Sequence, residues 1–324
     1  MRDQTIDLIK GIAILFVYLG HSILYHPIQM EEMYGWCRVL GRFIESFNMP
    51  LFFIVSGYLF SITKKSAFEL YKGKVQRLLI PYLFTMAILI GMKLFLPSSL
   101  SYNTISGGGK SLIVNALLYG GERWFVYVLF MMFVVIIPFR YYLKKPSVCL
   151  IIILALIGIY FMAFMPKEFK MKDVFYFLYF FLIGFLMHNY WDRIKDYCRK
   201  YWYVVIALFL VLNLFFIIPL ERITFIYRFL LPLTGSLACI TMAVLLNTHD
   251  SSFVRFVSYC GKYSLQFYLF TFCYPIIRWG IVSVLHISNP IMILLSVFVL
   301  QLISIIPIVE ISRRIRFLKI PCGY

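Results

Sequence analysis

Asp7-Leu-Ile-Lys10-Gly11-Ile-Ala-Ile-Leu-Phe-Val-Tyr-Leu-Gly20-His21-Ser22 has the apolar run of a membrane-crossing helix, yet it carries ionisable side chains. Lys10 and His21 are eleven residues apart. At 100° per residue a helix brings them back to nearly the same face, roughly 16 Å apart along its axis. Asp7 lies within i,i+3 reach of Lys10. One face therefore shows a carboxylate, an ammonium and an imidazole at different depths. Such groups in a spanning helix face a bundle interior or a wet cavity. A plainer reading stays open, in which Asp7 and Lys10 mark the interface and His21 bonds to a neighbouring helix.

The rest of the chain repeats the apolar theme. Its 324 residues are 62% hydrophobic and only 14% charged, with 33 Phe and 24 Tyr. Stretches long enough to cross a bilayer recur from end to end. The expected fold is all-α: a polytopic membrane helix bundle forming one domain over 1–324, with no appended soluble domain. Ten spans are read, at roughly 6–25, 42–62, 77–96, 124–143, 147–165, 173–190, 202–219, 226–246, 264–285 and 290–310. The first is not a removable signal peptide, because it has charges on its face and no small-residue cleavage site. The long connection 97–123 contains Ser98, Ser99, Asn103 and Gly107 to Gly109, and its apolar patch Leu112 to Leu118 could dip into the interface as a short helix.

Lys and Arg crowd the N-terminus, the even-numbered loops (Lys64, Lys65, Lys72; Arg140, Lys144, Lys145; Arg193, Lys195, Arg199, Lys200) and the C-terminus (Arg313, Arg314, Arg316, Lys319). Positive residues stay on the cytoplasmic side, so the orientation is N-in, C-in. The net charge of +17 reflects these loops rather than a nucleic-acid partner. The seven cysteines are scattered through apolar segments and read as small buried hydrophobes, with no disulfide framework and no metal site.

Orientation gives the polar residues depths. Lys10, Lys74 and Arg77 lie near the inner face. His21 lies toward the outer half, with Arg42, Glu45 and Asn48 at about its depth, and Glu122, Arg123 and Trp124 start the fourth span from outside. A cationic inner layer suits a phosphorylated ligand, and Lys74 and Arg77 are spaced i,i+3 for a two-pronged contact. Lys64, Lys65 and Lys72 read instead as a loop against anionic lipid. A neutral imidazole suits general-base work on an alcohol that attacks an ester or thioester. Glu45 could fix its tautomer, or could simply pair with Arg42. Trp124 also suits an aromatic belt. Arg228 can snorkel, whereas the deeper Arg278 could bind an anionic or sugar-like group. His26, His188, His249 and His286 read as interfacial.

These residues resemble the acyltransferase-3 family, integral membrane acyltransferases that often O-acetylate bacterial surface polysaccharides. Lys10 to His21 resembles the opening signature of a basic residue, ten intervening residues and a histidine, with Lys10 where the family usually has Arg. Phe47-Asn48-Met49-Pro50-Leu51-Phe52-Phe53-Ile-Val-Ser56-Gly57-Tyr58 is the most specific match, with Asn48 where relatives often have His. Lys74 to Tyr82, Glu122 to Phe125 and Gly261-Lys-Tyr-Ser264-Leu265-Gln-Phe-Tyr268-Leu269-Phe270-Thr271 resemble later motifs, with Thr271 at a usual His.

The resemblance implies acetyl-CoA or another acyl-CoA as cytoplasmic donor, and a sugar hydroxyl on a lipid-linked or exported glycan as acceptor. It implies a multi-pass protein of the cell inner membrane. His21 would be general base or acyl relay. Lys10, Lys74 and Arg77 would hold donor phosphates, with Asp7 positioning Lys10. Glu45, Asn48, Arg123, Trp124 and Arg278 would shape the acceptor side. A glycan transporter or flippase, or a non-catalytic membrane partner, remains the alternative.

Overall fold

Runs of Leu, Ile, Val and Phe with no water to satisfy their backbone must close their hydrogen bonds internally, and they do so as helices. The computed structural model describes residues 3–24, 34–95, 109–161, 168–217, 226–271 and 274–324, and no strand occurs among them. His26, Cys273, Ser98, Ser99, Asn103, Gly107 and Gly108 lie outside the described residues. In order the α-helices of six or more residues are α1 (Gln4–Leu24), α2 (Gly35–Ser61), α3 (Ala67–Lys74), α4 (Ile80–Phe95), α5 (Gly109–Tyr119), α6 (Trp124–Ile136), α7 (Pro146–Phe161), α8 (Met171–Met187), α9 (Trp191–Lys200), α10 (Trp202–Ile217), α11 (Leu231–Leu246), α12 (Ser252–Lys262), α13 (Ser264–Leu269), α14 (Tyr274–Trp279) and α15 (Pro290–Arg314).

Six helical stretches among the described residues are long and apolar enough to cross a membrane, and Pro146–Tyr160 and Trp202–Leu214 are shorter apolar helices. Where their residues are described, the ten spans read from the sequence fall largely on helix. Within the ninth, read over 264–285, the described residues include α13, α14 and a π-turn Gly280–Val284 that continues α14. The patch Leu112 to Leu118 lies in the helix α5. The chain folds as an all-α membrane bundle.

Packing divides the chain into two compact units. The first contains α1, α2 and the segment Ile183–Ser264. The second contains Thr63–Leu182 and Leu265–Tyr324, so α8 contributes residues to both.

In the first unit α1 begins at Asp3, whose Oδ1 accepts from the Thr5 amide at 2.9 Å and whose Oδ2 accepts from the Trp191 indole at 2.8 Å. Burial works against its charge, but the bonds from Trp191 and Thr5 outweigh it and hold the carboxyl below its ordinary value. Glycine sets how closely the helices approach. A Cβ at Gly11 would overlap the Val257 carbonyl, one at Gly261 the Asp7 carbonyl, and one at Gly184 the Ile54 carbonyl. Small residues let spanning helices touch backbone to backbone in this way. Gly235 makes room for Phe47, whose ring packs edge-on against Phe16 at 5.2 Å and Phe209 at 5.5 Å. Pro50 sits inside the 27-residue α2. It cannot donate to the fourth carbonyl back, and beside it the Asn48 Oδ1 accepts from the Met49 amide at 2.7 Å.

In the second unit α3 opens on a capping box, with Ser66 Oγ accepting from the Glu69 amide and Glu69 Oε2 accepting from the Ser66 amide. It runs through a π-turn Val75–Leu79 directly into α4. Pro81 explains the turn: with no N–H to give to Arg77, the ladder widens and the Ile80 amide reaches Val75 instead. The first unit uses the same device, where a π-turn Ile226–Leu230 carries Arg228 four residues before Pro232. Gly120 and Gly121 adopt positive φ (74° and 48°) to end α5 and turn into α6. Last-turn carbonyls of α5 accept from tyrosines: Ala116 from Tyr82 at 2.5 Å and Leu117 from Tyr127 at 2.9 Å. The tail folds back on the same unit, with Gln266 Nε2 donating to the Cys322 and Gly323 carbonyls, each at 3.1 Å.

Candidate functional site

The first unit holds Asp7, Lys10, His21, Glu45 and Asn48. Lys10 Nζ lies 2.8 Å from Asp7 Oδ1, with the side chains 14% and 9% exposed. The ammonium therefore sits in the bundle with its charge already compensated. The Gly261 contact lies against the Asp7 carbonyl itself, and Gly11 follows Lys10 directly. The opening stretch of the sequence and its late Gly261 stretch thus meet backbone on backbone, and this fixes the pair in place.

Eleven residues along α1, His21 is half-buried, and the neighbouring Ser22 donates to the Tyr18 carbonyl at 2.9 Å. On α2 Asn48 is buried, while Glu45 is exposed. The imidazole and the ion pair thus share α1, separated by eleven residues along its axis.

The second unit holds Lys74, Arg77, Arg123, Trp124 and Arg278. Lys74 Nζ sits 3.5 Å above the centroid of Phe133, a cation–π contact. Arg77 is exposed. The π-turn begins immediately after Lys74 and carries Arg77. Arg123, at the start of α6, is 3% exposed, and its guanidinium carbon lies 5.8 Å from the Tyr268 ring centroid. The Tyr268 hydroxyl accepts from the Phe125 amide at 3.3 Å. Trp124 packs on Phe177 at 5.6 Å. Beside it Glu122 forms an ion pair with Lys93. Arg278 on α14 is fully buried.

Four residues gain weight only from the structure. Tyr268 becomes the neighbour of Arg123, a relation between distant stretches that spacing cannot reveal. Gly11 and Gly261 set the α1–α12 contact, and only their small size hinted at it. Gln301 is buried in α15 with neither amide atom bonded among the described residues, and a lone amide in an apolar run was a visible signal. The six described cysteines are buried and free. No group of three or more metal-ligating side chains occurs among the described residues.

Residues 3–310 match a family model described as an acyltransferase domain. Over 139 residues, 42% of this chain, the sequence is 30% identical to nodulation protein NolL of Mesorhizobium japonicum, covering 35% of that protein. Over 190 residues, 57% of this chain, it is 30% identical to nodulation protein NolL of Sinorhizobium fredii, covering 48% of it. The matched region spans from a third to about half the length of these curated relatives. No solved structure matches.

Proposed function

We propose, from the premise that this chain belongs to the acyltransferase family whose model spans it, that it moves an acetyl group from acyl-CoA to a sugar hydroxyl of a cell-surface or exported glycan. The observation that carries the reading is α1, where His21 and the Asp7–Lys10 pair share one helix clamped at Gly11 and Gly261. In this reading His21 takes the hydroxyl proton as the sugar oxygen attacks the thioester carbonyl. The carbon–sulfur bond breaks, and the departing thiolate receives that proton from the imidazolium. Glu45 orients the imidazole and Asn48 lines the acceptor side. Lys10 in the first unit, and Lys74 and Arg77 in the second, are the candidates for donor phosphates. Arg123, Trp124 and Arg278 are the candidates for acceptor contacts. The donor arrives from the cytoplasmic side of the inner membrane, a direction supported by the Lys and Arg distribution.

Isotopic transfer from acetyl-CoA, measured in membranes carrying the full chain, tests this. His21→Ala should lower the rate by about a hundredfold or more, and undiminished transfer would sink the mechanism. The alternative is a glycan transporter or flippase, with the same polar residues lining a pathway. Transport predicts glycan movement without acyl-CoA consumption, so the same assay separates the two.

A further inference from the structure

Arg123 is a buried charge of the second unit. Its Nε and Nη2 are both buried, and neither has a hydrogen-bond partner among the described residues. These two nitrogens share one edge of the guanidinium. Their N–H bonds run parallel there, the arrangement that grips two oxygens of a carboxylate or phosphate at once. The adjacent carboxylate, Glu122, is paired with Lys93. The ring of Tyr268, 5.8 Å from the guanidinium carbon, lies near the outer limit of a cation–π contact and bonds to neither nitrogen.

The surroundings are built for negative charge as well. Arg123 is the N-cap of the 13-residue α6, whose first turn is the positive end of the helix dipole. Tyr268 ties the two features together, since its ring faces the guanidinium and its hydroxyl accepts from the Phe125 amide of that first turn. A buried cation with an open bidentate edge is costly to fold around, and an arriving oxyanion removes the cost.

We propose that Arg123 and the N-terminal turn of α6 form an oxyanion-binding site that takes one carboxylate or phosphate group edge-on. The site stands on this geometry alone. Its place in acyl transfer, holding either an acidic sugar of the acceptor or a phosphate of donor or carrier, rests on the function proposed above.

The test is thermal unfolding of the detergent-purified full chain in glucuronate, in inorganic pyrophosphate and in chloride at matched ionic strength. Wild type should gain a saturable stabilisation from glucuronate, marking an acidic acceptor, or from pyrophosphate, marking a phosphate. Arg123→Met should lose that gain while unfolding at or above the anion-free wild-type temperature, because it deletes an unpaired buried charge. Arg123→Lys keeps the charge but not the edge, and should weaken the anion at least tenfold. No anion-specific gain in wild type, an equal gain in either variant, or an Arg123→Met protein less stable than anion-free wild type overturns the site. An anion gain in a protein that transfers no acetyl keeps the site and removes only the acyl-transfer reading.

Discussion

Lys10 can stay charged inside an apolar bundle because Asp7 lies 2.8 Å away. Removing one partner of such a pair strands the other, at a cost of about 3 to 5 kcal/mol. Asp7→Asn should therefore lower the thermal midpoint of the purified protein strongly, and Asp7→Asn with Lys10→Met should recover most of it. Acetyl transfer should stay low in the double variant if Lys10 also serves the donor, and recovery of both together would reduce the pair to a structural role. This pair was legible in the sequence, because three-residue spacing on one helix is a local rule. Arg123 beside Tyr268 was not, since nothing local to either residue points to the other. The π-turn between Lys74 and Ile80 was not legible for a related reason: a helical register holds only while the ladder stays α, and Pro81 widens it.

Among the elements, α1 and α12 make the tightest approach that bears on the candidate site. A methyl group at Gly11 or Gly261 would overlap a backbone carbonyl of the other helix, and a carbonyl cannot yield as a side-chain tip can. Gly11→Ala and Gly261→Ala should each force the helices apart, destabilise by about 1–3 kcal/mol or more, and lower acetyl transfer by displacing His21 and Lys10. Gly158→Ala in α7 is the control, because nothing lies within 4 Å of its added Cβ. It should be neutral or gain up to about 1 kcal/mol from better helix propensity. Equal effects at all three sites in unfolding and transfer assays would discredit the clamp. Spans were easy to read as elements, since apolar length alone marks them. The π-turn in the ninth was hidden because Gly280–Val284 is as apolar as the helix it continues.

At the scale of the whole molecule, the fold class follows from composition, whereas the division into two units depends on long-range packing that no window of sequence contains. The proposed orientation draws on both. Inside the second unit, Arg140 of the fourth loop donates to the Lys65 carbonyl of the second at 2.8 Å, so two lysine- and arginine-rich connections share one end. Lys93 pairs with Glu122, joining the far end of α4 to the start of α6. Inside the first unit, the Trp191–Asp3 bond at 2.8 Å joins the sixth loop to the beginning of α1. Within each unit, even-numbered connections meet one another or the chain's start, as alternating spans demand of either orientation. Single cysteines placed at Lys64 and Ser288, both exposed, in a background without the native ones, test the direction. In intact cells a membrane-impermeant maleimide should label Ser288→Cys and should reach Lys64→Cys only after permeabilisation. The opposite pattern would invert the protein and place the donor's basic contacts on the wrong face of the membrane for cytoplasmic acyl-CoA.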